Sequence, residues 1–226
     1  MVDPINPLGA QFLHVVLGGP ITVLVALDLA LGCRSPVTGF VNYLFLLTWA
    51  ITQLGLVSGG YQPRSLQLLW VVVLVSSEVL HLAAFNASNV FTFFISYEAV
   101  LIPLQLLISH WGSGVMRLRA SILFFLYTYR GSAPMLVAVL YLSSFAVRDL
   151  SARASSFFAV CSSGPSVSAL WLSFAVSFAV KTPLYPFFIW LLLAHAEAPA
   201  EGSIILAGVV LKLATFGVVA VLLGML

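Results

Sequence analysis

Seven long apolar runs, near residues 10–31, 37–59, 66–85, 88–110, 119–146, 168–193 and 202–226, leave this chain little choice of solvent. Each is close to the roughly 20 residues that carry a helix across a hydrocarbon core about 30 Å thick. The runs are continuous, without the two-residue alternation of a barrel wall, so β-strands are excluded. Charged residues make up 7% of the chain, against about 25% in soluble domains. The expected fold is therefore an all-α integral membrane protein of about seven transmembrane helices, forming a single membrane domain over residues 1–226. Pro36, Pro63 and Pro165, with neighbouring Gly and Ser, mark connections. The stretch 147–167, with Arg148, Asp149, Arg153 and a Ser-rich tract, reads as a solvated loop.

Charge and cysteine usage narrow the function classes. The net charge of +2 is small and scattered, with no basic run of the kind that binds nucleic acid. Cys33 and Cys161 lie far apart, so they read as structural, not as a metal site or disulfide framework. The opening MVDPINPLG has neither a basic n-region nor an Arg/Ser-rich amphipathic character, and no cleaved targeting segment is expected. Arginines divide evenly between the two sets of loops. The cluster of Arg117 and Arg119 beside His110 decides the orientation, placing that loop on the cytoplasmic or matrix side.

Against this apolar background the mid-span charges stand out. The chain has two lysines, Lys181 and Lys212, each inside an apolar run. An ammonium at mid-depth costs about 2.5–3.5 kcal/mol on insertion scales, so such residues are expected to serve an internal polar path. Pro183 and Pro186 follow Lys181 and remove backbone donors, which a bilayer tolerates only where protein or water satisfies the freed carbonyls. The sixth span is therefore expected to be a discontinuous helix. Glu98, near the middle of the fourth span and five residues before Pro103, is the natural partner of Lys181. At about 4 Å and an effective dielectric of 20 the two attract by about 4 kcal/mol, enough to switch the lysine between holding and releasing a proton.

His195, in the AHAEAP turn beside Glu197 and Glu201, is a candidate for collecting protons at the membrane edge. His81 and His110 read as boundary residues, His14 and Glu78 as buried and locally bonded, and Asp28 and Arg34 as interfacial anchors. Arg130 falls in the centre of the fifth span and needs a counter-charge or water, with Glu98 the obvious candidate. The aromatic stripes FTFF and LFFLYTY read as packing surface. No nucleotide fingerprint, cysteine cluster, paired axial histidines or nucleophile elbow occurs, so no redox centre is expected in this chain.

Four segments, YEAVLIPL (Tyr97–Leu104), LYTYRGSAPML (Leu126–Leu136), AVKTPLYPFFIW (Ala179–Trp190) and AHAEAPAEGSIILAGVVLKL (Ala194–Leu213), occur in order over roughly residues 90–217. On them the chain resembles subunit 4 of the proton-pumping NADH:quinone oxidoreductases, an antiporter-like membrane chain of respiratory complex I. The resemblance implies that Glu98, Lys181 and Lys212 form the first of two inverted half-channels, in a first repeat spanning roughly residues 66–226. It also implies a second repeat, absent here and expected on a separate chain unless this is a truncated remnant, and a place in the mitochondrial inner membrane, with the bacterial plasma membrane as the alternative. NADH, FMN, iron–sulfur clusters and ubiquinone are then expected in partner subunits, the neighbours being other membrane-arm chains and lipid. Three positions depart from the family pattern: Phe188 replaces a histidine, Leu191–Leu193 replace a tract with proline and a polar residue, and Arg130 replaces a neutral residue.

The expected function is thus that of a non-redox subunit that couples quinone reduction to proton translocation through Glu98, Lys181, Lys212 and His195. A cation/proton antiporter subunit is the first rival, weakened because lysines repel sodium and no carboxylate cluster is present. A purely structural membrane-arm chain is the second, kept open by Arg130 and Phe188. The buried charges require neighbouring helices. Expression alone in detergent is therefore expected to yield no monodisperse folded protein, and size-exclusion chromatography checks this.

Overall fold

The computed structural model describes residues 36–58, 64–87, 89–148 and 166–222. All regular structure among them is helical: α1 (Pro36–Ser58), α2 (Arg64–Phe85), α3 (Val90–Ala99), α4 (Leu101–Trp111), α5 (Arg117–Arg148), α6 (Ser166–Lys181), α7 (Ile189–Glu197), α8 (Ala200–Ile205) and α9 (Leu211–Gly217). Two π-helical turns, Leu206–Val210 and Val218–Leu222, flank α9 and continue it into one span with α8. Five segments are long and apolar enough to cross a membrane: Phe40–Val57, Leu66–Phe85, Val90–Trp111, Arg117–Ser143 and Ala200–Ala220. The sixth run is divided between α6 and α7, as its prolines imply. The first run, Asp28, Arg34, His14, both cysteines and most of the 147–167 stretch lie outside the described residues.

The helices pack α1 on α2, α2 on α3 and α4, and α5 on α4, α6 and α7. Their core is largely aromatic: Phe93 and Tyr97 of α3 have ring centroids 5.4 Å apart, and Phe178 of α6 meets Tyr97 edge-on at 5.8 Å. FTFF thus contributes packing surface, as its composition suggests. Gly131 lets α5 approach α6 closely, since a Cβ there would lie 2.5 Å from Cγ1 of Val180. Small residues at such crossings allow helices without a hydrophobic driving force to gain dispersion contact.

Two spans carry prolines near their middles, with different outcomes. Pro103 has no N–H for the carbonyl of Ala99, yet Val100 between α3 and α4 keeps helical dihedrals and its N–H bonds the Ser96 carbonyl at 3.2 Å, so the two helices run on as one span. In the sixth span the accounting closes more fully. Pro183 cannot donate to the carbonyl of Ala179, so the Leu184 N–H takes that role at 3.0 Å. This displacement leaves the Val180 carbonyl without its usual donor. The indole Nε1 of Trp190, across the break in α7, donates to it at 2.8 Å. Trp190 is 1% exposed and also packs on Phe124, so it fastens α7 to the end of α6.

Replacing that indole leaves a buried carbonyl unpaired, at a cost of about 1–3 kcal/mol. Trp190→Phe keeps the ring packing and removes the donor. It is expected to lower the thermal unfolding midpoint of the detergent-solubilised assembly by several degrees, whereas Trp171→Phe, on an exposed ring, leaves it unchanged.

Candidate proton-carrying site

Lys181 is the last residue of α6, placed where the helix gives way to the Pro183 and Pro186 turns. Its side chain runs inward and is only 2% exposed. The ammonium donates to Oε1 of Glu98 at 3.0 Å and to the backbone carbonyl of Tyr97 at 2.8 Å. It also sits 3.3 Å from the centroid of the Tyr97 ring. One ammonium therefore meets a carboxylate, a carbonyl and a π-face, which together replace much of the hydration it lost. Glu98 is less enclosed, its side chain being 16% exposed, and its Oε2 is buried without a hydrogen-bond partner among the described residues.

The pair lies deep in the fold. At 1.5 Å per residue, Glu98 is about 12 Å along the helix from Val90 and about 20 Å from Trp111, near the middle of a core about 30 Å thick. The break in the sixth span meets α3 here: the carbonyl that receives the lysine belongs to the last turn of α3, and the lysine closes α6.

The other candidate residues are not gathered at the pair. Lys212, on α9 directly after a π-helical turn, is exposed on the outer surface of the chain. His195 occupies the last turn of α7 and is half-buried. That turn packs on the α4–α5 loop, with the Ser113 N–H donating to the Glu197 carbonyl at 3.2 Å. Gly112 is required there, because a Cβ would collide with the backbone carbonyls of Ile108 and Glu197. His195 therefore shares one membrane edge with His110, which is exposed, and with Arg117, whose Nη1 makes a long 3.4 Å bond to the Gly112 carbonyl.

Two expectations are corrected. Arg130 does not pair with Glu98; it is exposed and faces a groove of about 600 Å³ shared with Leu123, Leu126, Tyr127, Val180 and Phe187. Its position along α5 is central, but its azimuth points away from α3. His81, four residues before the end of α2, does not face outward at the boundary: it is 1% exposed, with Nδ1 bonded to the Ser77 carbonyl at 2.6 Å. Glu78 is buried as expected. Sequence reasoning also missed Tyr97, whose carbonyl and ring both serve the lysine, although its place beside Glu98 was the available signal.

Comparison with known proteins places this geometry in a family. The family described as NADH:quinone oxidoreductase/Mrp antiporter, TM, matches residues 87–226. The chain is 38% identical to NADH-ubiquinone oxidoreductase chain 4 of Mycosarcoma maydis, over 84% of this chain and 39% of that protein. It is 33% identical to NADH-quinone oxidoreductase subunit M of Rickettsia typhi, over 84% of this chain and 38% of that protein. Respiratory complex I from Thermus thermophilus with bound NADH contains a chain that superposes with a TM-score of 0.67 at 31% identity, covering 83% of this chain and 38% of that one. The chain thus spans about two fifths of the length of the relatives it matches. Its helical membrane fold, its sequence and its structural likeness agree: the chain belongs to the NADH:quinone oxidoreductase/Mrp antiporter transmembrane family, as a member similar to complex I subunit 4.

Proposed function

We propose that this chain is a membrane-arm subunit of a proton-translocating NADH:ubiquinone oxidoreductase of the mitochondrial inner membrane, and that it contributes the first of two proton half-channels. The observation that carries this reading is the buried Lys181–Glu98 pair, set at mid-depth where the proline break that ends α6 meets α3. An ion pair offers little as a structural brace there, since apolar residues of like volume often stabilise a buried site as well or better. A base whose counter-charge can be withdrawn is, by contrast, the element that a proton relay needs.

In this reading a proton arrives from the His195 edge or by way of Lys212, reaches Lys181 through water, and leaves when Glu98 breaks from the ammonium. Lys212 serves the face toward the second repeat, whichever polypeptide carries that repeat, and its exposure supports this role. The redox groups, NADH, FMN, iron–sulfur clusters and ubiquinone, belong to partner subunits, and this chain acts on protons alone.

Two substitutions in the assembled complex test the reading. Glu98→Gln keeps the shape and removes the charge, and Lys181→Met keeps the apolar stem and removes the base. Both are expected to assemble and to lose proton pumping severalfold in reconstituted vesicles, while Glu98→Asp, which shortens the reach by one methylene, loses less. Wild-type pumping in Lys181→Met would overturn the proposal.

A further inference from the structure

Among the described residues three groups receive the Lys181 ammonium, and two of them belong to one residue. Tyr97 gives its backbone carbonyl at 2.8 Å and its ring face at 3.3 Å from the centroid, while Glu98 Oε1 accepts at 3.0 Å. The three are not held equally firmly. The carbonyl is part of α3, and the ring is fully buried, with the centroids of Phe93 and Phe178 at 5.4 and 5.8 Å. Glu98 is the partly exposed member of the set. A carboxylate that turns away therefore leaves the ammonium against two fixed partners.

What the Tyr97 side chain offers the lysine is its π-face. Its hydroxyl is buried and makes no hydrogen bond among the described residues. A ring face attracts a cation most strongly where water is excluded, and Lys181, at 2% exposure, meets that condition. Core filling alone does not require the ring to lie beneath an ammonium. Phe178 is as deeply buried in the same cluster, and it packs against the rings of Phe93, Tyr97 and Phe174.

We propose that Tyr97 is a positioning residue for Lys181, whose ring holds the ammonium in place while Glu98 is withdrawn. The ring neither takes nor gives a proton. It keeps the charged lysine from following the carboxylate, so withdrawal of Glu98 changes the charge around Nζ without moving Nζ. The inference rests on the role proposed above for the Lys181–Glu98 pair.

The test uses the intact membrane complex, with Tyr97→Leu, Tyr97→Phe, Phe178→Leu and Lys181→Met measured side by side for assembly, quinone reduction and pumped protons. Tyr97→Leu keeps the carbonyl and removes the π-face, and it is expected to lower the ratio of pumped protons to quinone reduced severalfold. Tyr97→Phe returns the face without the hydroxyl and is expected to restore most of that ratio. Phe178→Leu removes a ring of the same cluster and is expected to lower the ratio less than Tyr97→Leu does. A wild-type ratio in Tyr97→Leu overturns the inference. So does a Tyr97→Phe variant no better than Tyr97→Leu, which assigns the effect to the hydroxyl, or an equal loss in Phe178→Leu, which assigns it to packing. If Tyr97→Leu fails to assemble, a density map of the Glu98→Gln complex decides: Nζ still over the Tyr97 ring supports the inference, and Nζ moved off the ring overturns it. Loss of pumping in Lys181→Met with a wild-type ratio in Tyr97→Leu removes Tyr97 and leaves the wider reading intact. Full pumping in Lys181→Met removes the wider reading itself.

Discussion

An ammonium ion far from water has to be solvated by the protein, and the arrangement around Lys181 follows from that requirement. Its partners come from α3, where the Tyr97 carbonyl and ring and the Glu98 carboxylate converge on Nζ. Bringing α6 to that point requires a helix that stops at mid-depth, which Pro183 and Pro186 impose, and a replacement donor for the carbonyl the stop exposes, which Trp190 provides. The aromatic core of Phe93, Tyr97 and Phe178 then seals the surroundings. The lysine, the proline break, the indole and the ring cluster are thus a single solution to one desolvation problem.

Much of this was legible in the sequence, because membrane depth is written along the chain. Run length gives the spans, proline gives the breaks, and counting residues from the ends of a run places Glu98 and Lys181 at one level. Azimuth is written far less clearly. A helix that is apolar on every side shows no polar stripe to indicate which face turns inward, so Arg130, Lys212 and His81 could be placed in depth but not in direction. Arg130 and Lys212 turn out to face outward, and His81 inward. One signal was available for His81. In α2 the polar residues Ser77, Glu78 and His81 fall on the stripe that also carries Trp70, Val73 and Leu74, all of them buried.

Outward-facing charge on a membrane chain describes its neighbours. Arg130 and Lys212 are both exposed within segments long enough to cross a bilayer, and hydrocarbon is a poor environment for either. The chain matches only about two fifths of its relatives' length, and charges exposed at membrane depth need protein or water against them. The inward-facing pair and the outward-facing charges divide the described residues into a closed interior and a charged surface.

The seam between Gly131 and Val180 bears on tempo. With a glycine pressed against the residue before Lys181, and Trp190 tied to the carbonyl of that same residue, the backbone carrying the base is clamped on two sides. What remains free to swing is the carboxylate opposite, partly exposed and with one oxygen unengaged. Rearrangement at the pair then belongs to the class of rotamer hops, which take picoseconds to nanoseconds where a side chain has room, while displacements of whole helices take microseconds to milliseconds. Movement at this pair is thus a matter of one carboxylate turning against a fixed ammonium, with no helix required to shift.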